Sequence, residues 1–230
     1  MSGPLCAQEG KVTGRLTLQP ESARAQPRLA ADAVVWLVPL DNASHRPASS
    51  DTQTAPRRFS LVQRQKRFEP HVLPVPKGSA VEFPNYDPVF HNVFSLFNGK
   101  RFDLGLYESG ATRAVIFDRP GICYIFCNIH PEMSAVVVVL ETPYFAVSNA
   151  AGEFAIPAVP AGRYRVHVFH ERCLPEFLRG LAREVIVSAD GADLGTIHLA
   201  EAEDLRLTHK NKYGQEYDPP APRSPLYQQP

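Results

Sequence analysis

Apolar residues in this chain do not recur every three or four positions, as an amphipathic helix needs. They come in short β-branched and aromatic runs set apart by Pro, Gly, Asn and Asp. Residues 11–18, 33–38, 72–75, 80–83, 90–96, 112–117, 122–126, 135–140, 144–147, 153–156, 163–169, 184–187 and 193–199 read as strands, and only 171–179 suggests a helix. Many short strands at this spacing predict an all-β protein built from β-sandwiches. Two stretches fall outside that rhythm. Residues 42–56 are rich in Ser, Thr, Ala and Pro with few apolar positions. Residues 207–230 are polar, then Pro-rich, and are expected not to fold alone.

Composition narrows the function. The 230 residues carry 24 Lys+Arg against 24 Asp+Glu, which removes the electrostatic footprint of nucleic-acid binders. The longest apolar run, 135–140, is far short of the roughly 18 residues that span a bilayer. The first ten residues have neither a basic segment nor an apolar one, so no intact signal peptide is read there. Four cysteines are too few for a disulfide scaffold at this length, and each must be judged by its neighbours.

The informative neighbours lie between Gly121 and Met133. Cys127, His130 and Met133 form C-x-x-H-x-x-M: a thiolate, an imidazole and a thioether on a tight loop between two apolar strands. His91 opens a strand-like stretch of its own upstream. Two imidazoles, one thiolate and a weak axial thioether are the donor set of a blue-copper electron-transfer site. Soft sulfur favours Cu(I), imidazole tolerates both oxidation states, and a fixed trigonal frame limits rearrangement when the electron moves. Taken singly, a Cys at a strand end is usually packing, a His usually surface and a Met usually gap filler. Their coincidence on one loop favours the metal site. Cys123 shares a strand face with Cys127 but lies two pleats away, four residues or about 13 Å along the strand, and reads as a small buried hydrophobe rather than as a second bridging thiolate. Phe126 and Asn128 flank Cys127, so the His-Cys-His pattern that feeds a multinuclear oxidase cluster is missing.

Residues 73–141 resemble a cupredoxin of the plastocyanin and amicyanin type. The likeness is carried by 75–85, by His91-Asn92-Val93, by the turn at Gly121 and by Cys127-Asn128-Ile129-His130-Pro131-Glu132-Met133. The two-residue gap before Met133, with Pro131 after the histidine, is similar to the short amicyanin loop. The resemblance implies a Greek-key β-sandwich. It implies one copper per chain, held by His91, Cys127 and His130 with Met133 axial. It also gives supporting roles to Asn92, which would tie the ligand strand to the Cys loop, and to Pro131 beside the His130 edge. A non-enzymatic one-electron carrier follows, docking transiently on a redox protein and working in the periplasm or outside the cell. The competing readings are a copper delivery module and a structural β-protein that carries a copper site. Residues 87–89 and the Phe-rich run after His91 depart from the family pattern.

The C-terminal block, with its turns at 149–152 and 160–162, resembles a carboxypeptidase regulatory-like β-sandwich. The family's opening G-x-V-x-G and A-V-V strands stand at Gly10–Gly14 and Ala33–Val35, at the other end of the chain. This predicts a discontinuous domain, 8–45 plus 142–200, with the cupredoxin domain, 57–141, inserted in it. His167 and His170 are read as surface histidines on an ordinary strand, and a Cys6–Cys173 disulfide stays open. Arg57, Arg58, Arg64, Lys66 and Arg67 read as a solvated edge strand.

Overall fold

The structure, a computed structural model, describes residues 9–20, 26–41, 55–96, 99–202 and 211–217. The chain opens with β1 (Glu9–Gln19), β2 (Arg28–Leu29) and β3 (Val34–Pro39). There follow β4 (Arg58–Ser60), β5 (Val62–Arg64), β6 (Arg67–Glu69), β7 (Val72–Pro76), β8 (Ser79–Pro84), β9 (His91–Ser95), β10 (Phe102–Tyr107), β11 (Thr112–Phe117), β12 (Gly121–Phe126) and β13 (Ser134–Leu140). It closes with β14 (Phe145–Val147), β15 (Glu153–Pro160), β16 (Gly162–Phe169), α1 (Pro175–Gly180), β17 (Arg183–Val187) and β18 (Ala192–Ala200). The all-β expectation holds. The helix is shorter than 171–179 because Pro175, which lacks an N–H, fits only a helix's first turn.

Strands β4–β13 make two facing sheets. One runs β10-β9-β12-β13-β7 and the other β11-β8-β4, with the β5–β6 hairpin beside them. Between the sheets lies a core that includes Val81, Phe83, Val93, Phe117, Cys123, Ile125 and Val137. Neighbours out of sequence order, such as β13 beside β7, are the crossovers of a Greek-key sandwich. The basic stretch is spread over an edge, as expected. Arg58 lies on edge strand β4 and pairs with Glu82, and Arg64 and Arg67 face each other across the hairpin.

The outer strands pair with one another across the intervening chain. In one sheet β1 lies between β15 and β18, with β2 alongside; in the other the order is β14-β3-β16-β17. Gly10 shows why the first strand needs its glycines, since a Cβ there would lie 2.5 Å from the Gly191 Cα. His167, half-buried, stacks on Trp36 with ring centroids 5.3 Å apart. His170, expected at the surface, is buried, and its Nδ1 accepts the Arg172 N–H; the chain turns inward after β16 and carries the ring with it. Cys173 is buried without a disulfide among the described residues, and Cys6 lies outside them.

Strand β13 explains the longest apolar run. Ala135, Val137 and Val139 enter the core between β8 and β12, while Val136, Val138 and Leu140 enter the core that also holds Val35, Tyr164 and Val166. A strand covered on both faces reads as unbroken hydrophobicity instead of alternation. Each valine so buried contributes about 1.5–3 kcal/mol.

An ion pair spans the same junction. His71 Nε2 lies 2.7 Å from Glu171, and its Nδ1 lies 3.1 Å from the Ser134 carbonyl. The Glu171 hydrogen bond raises the His71 pKa above its ordinary 6.5. Burial works to raise that of Glu171, but the His71 hydrogen bond and charge prevail and lower it below 4.5. The His71 contribution is therefore full below pH 6.5 and lost as pH rises through its folded value. The Glu171 contribution is full above pH 4.5 and lost as pH falls through its own. Glu171→Gln should lower the melting temperature most near about pH 5.5, with the gap from wild type shrinking toward about pH 8.5. A gap independent of pH would exclude the pair as its source.

Candidate metal centre

The site stands at one end of the β4–β13 sandwich, where β9 begins and β12 ends. The Cys127–Met133 loop is closed by its own backbone. The Cys127 N–H donates to the Met133 carbonyl at 3.2 Å, and the Met133 N–H to the His130 carbonyl at 3.0 Å. Cys127 and Met133 are fully buried, His130 is half-buried, and Ile129 and Pro131 face solvent.

His91 is placed by the segment before it. Buried Asn85 accepts the Asp87 N–H at 3.0 Å and donates to the Val89 and Tyr107 carbonyls at 2.8 and 3.3 Å, which fixes the turn leading into β9. Asp87 is thereby aimed at His91, and its Oδ2 lies 2.8 Å from Nε2. The β5–β6 turn meets the same carboxylate. Gln65 and Lys66, at φ 53° and 55°, present their N–H groups to it at 2.5 and 2.8 Å. Burial works to raise the Asp87 pKa, but these N–H donors and His91 prevail and hold it below the usual carboxylate range. An ionised Asp87 can only accept, so His91 carries its proton on Nε2 and turns the Nδ1 lone pair inward.

Asp87 is not among the site residues expected from the sequence. The signal available was a carboxylate four residues before a candidate histidine ligand.

Three donor atoms converge at the centre. His91 Nδ1 lies 3.1 Å from His130 Nδ1, and the Cys127 Sγ lies 3.8 and 3.6 Å from these nitrogens. All three fall within 4.8 Å of one another, and the residues form the group with metal-binding geometry among those described. A metal bonded at about 2.0–2.3 Å to nitrogen and sulfur has donor-to-donor edges of about 3.1–3.8 Å, so the triangle is the right size and its donors suit copper. Burial pushes the Cys127 thiol up against N–H groups of Asn92, Ile129 and His130 that favour the thiolate. Burial keeps His130 below its ordinary pKa, which favours the neutral imidazole.

The remaining expected residues are placed as follows. Met133 is fully buried at the end of the Cys loop. Asn92 turns its backbone N–H to the Cys127 sulfur but donates its side-chain amide to Asp103 at 2.7 Å instead of to the Cys loop. Cys123 stands apart from the triangle, buried, with the Lys100 N–H 3.1 Å from its sulfur. Of the tail expected to lack structure, 207–210 and 218–230 lie outside the described residues, whereas 211–217 lie against the Cys loop.

No protein-family profile matches the sequence, and no curated protein matches it. Among solved structures, the chain is similar to a purple cupredoxin from Nitrosopumilus maritimus, at 24% identity over 36% of this chain and 99% of that one, TM-score 0.32. It is similar to a reduced amicyanin variant at 21% identity over 38% of this chain and 87% of that one, TM-score 0.35. The copper-containing nitrite reductase of Thermus scotoductus SA-01 matches at 26% identity over 46% of this chain, TM-score 0.36, with only 28% of the reductase covered. These similar structures are cupredoxins and one copper enzyme. The likenesses cover less than half of it, and the functional reading rests on the site's own side chains. No helix among the described residues is long and apolar enough to cross a membrane.

Proposed function

We propose that this chain is a mononuclear type 1 copper protein that carries single electrons. The observation that supports it most is the buried triangle of His91 Nδ1, His130 Nδ1 and Cys127 Sγ, with Met133 buried at the end of the same loop. In this reading His91, Cys127, His130 and Met133 would hold the copper. When bound, copper supplies the one-electron couple. The protein supplies the rest. Asp87 fixes the His91 tautomer and ring plane, the Asn92 N–H steadies the thiolate, and the closed loop keeps the donors in place through a change of charge. If all four residues hold the metal, no position would be left open for a substrate, which favours a carrier over an enzyme.

The His130 edge is the route by which electrons leave in this reading. Exposed Tyr86, Val89, Phe90 and Ile129 lie next to Asp87, His91 and His130 in sequence and give a redox partner an apolar surface for weak docking. The cupredoxin likeness favours a periplasmic or secreted setting. We also read residues 8–45 and 142–200 as one sandwich carrying the 57–141 copper unit as an insertion, which the pairing of β1 and β3 with β14, β15, β16 and β18 supports.

Absorption after copper addition tests the function. One equivalent should give an intense thiolate-to-copper band, unchanged by Cys123→Ser. A colourless protein that still holds Cu(I) would favour delivery, two coppers lost on Cys123→Ser would favour a binuclear centre, and no binding would refute the metal site.

A further inference from the structure

Residues 211–217 come from the far end of the chain and touch the metal loop at two points. The Tyr217 hydroxyl donates to the Cys127 carbonyl oxygen at 2.8 Å, and the Lys212 N–H donates to Asn128 Oδ1 at 2.8 Å. The segment is held in shape by Asn211. Its N–H donates to the Gln215 carbonyl at 2.8 Å, and its Oδ1 accepts the Tyr213 and Gln215 N–H groups at 2.9 and 3.0 Å.

A third contact closes a circuit. The Lys212 ammonium donates to Asp103 Oδ2 at 2.8 Å, and Asp103 Oδ1 accepts the Asn92 amide at 2.7 Å and the Gly105 N–H at 2.9 Å. Asn92 follows His91, and its backbone N–H points at the Cys127 sulfur. From the Cys127 carbonyl the chain of contacts thus passes through Tyr217, Lys212, Asp103 and Asn92 and returns to the Cys127 sulfur. The strand bearing one candidate ligand and the loop bearing the others are tied by a segment that contributes no ligand.

We propose that residues 211–217 form a strap that sets the metal centre, with Tyr217 and Lys212 as positioning residues. The inference rests on the copper reading above and adds what fixes the properties of that site. Two effects follow. The strap pins the Cys127–Asn128 peptide, so the loop opens less often. The Tyr217 hydroxyl draws electron density from the ligand residue, which favours Cu(I), the state in which the site carries less positive charge.

The test uses the full-length chain loaded with copper, comparing wild type with Tyr217→Phe and Lys212→Ala. Tyr217→Phe removes one oxygen. It should shift the Cu(II)/Cu(I) ratio at fixed potential about two- to tenfold toward Cu(II), the range of one hydrogen bond, and displace the thiolate-to-copper band. Both variants should release Cu(I) to bicinchoninate faster than wild type, at unchanged melting temperature of the metal-free protein. Unchanged potential, band and release rate in chains that do hold copper would overturn the strap and leave the copper reading standing. If wild type holds no copper, amide exchange at residues 127–130 of the metal-free chain still decides: exchange accelerated by Tyr217→Phe supports the strap, and equal protection overturns it.

Discussion

Cys127→Ser should be colourless in the presence of Cu(II) and should bind copper at least about a thousandfold more weakly than wild type, a loss of about 4 kcal/mol. The reasoning is chemical. A serine hydroxyl does not ionise near neutral pH, so the substitution removes both the soft donor and its negative charge from a site whose other expected ligands are neutral. The N–H groups of Asn92, Ile129 and His130 would then surround a hydroxyl. The fold should survive, because serine is slightly smaller than cysteine and finds donors and acceptors already present at that position. Titration with copper followed by absorption measures the effect, and the melting curve of the metal-free variant checks the fold. A blue Cys127→Ser protein would refute the assignment of the thiolate. Because burial raises the thiol pKa, uptake must also displace a proton, so wild-type binding should weaken as pH falls.

Gly191→Ala should be the most damaging single methyl addition outside the metal centre. Gly191 sits between β17 and β18 at φ +95°, where a side chain is strained, and a Cβ there would lie 2.1 Å from the Lys11 carbonyl oxygen. The strain costs about 1–3 kcal/mol. The backbone clash adds to it, because β1 cannot retreat without breaking its pairing with β15 and β18. A total of about 4 kcal/mol corresponds to about 8–16 °C in melting temperature for a protein of this size. Gly110→Ala separates the two contributions: its φ is +81°, yet nothing lies within 4 Å of a Cβ there. Equal losses in the two variants would rule out the clash and with it the tight seam between β1 and the β17–β18 turn.

What the sequence revealed, and what it concealed, divides by range. Cys127, His130 and Met133 were legible because their spacing on one loop is local, and His91 because it opens a strand of its own. The main strands were legible because β-branched residues alternate between turn signals. Strand β10 was not, since Asp103 and Gly105 interrupt its pattern and the strand departs from regular register with β9. Nor were β4, β5 and β6 seen as separate strands, because three-residue pieces with one apolar residue each carry no periodicity. Asp87 stood in plain view but departed from the family pattern, and its role depends on a turn from β5–β6 meeting it in space. Tyr217 and Lys212 reach the loop from 90 and 84 positions away, a separation at which no sequence spacing is informative.

The two-faced burial of β13 has a consequence for how the molecule can be taken apart. The strand is a party wall: the residues on its two sides insulate different rooms, and its first residue adjoins Met133. A fragment cut at 57 and 141 would keep every candidate ligand yet turn Val136, Val138 and Leu140 outward as a greasy stripe. The flanking half would lose part of its own filling. Expression of either piece alone therefore calls for resurfacing that wall, and damage to the outer sandwich can be felt at the Cys127–Met133 loop without touching a candidate ligand.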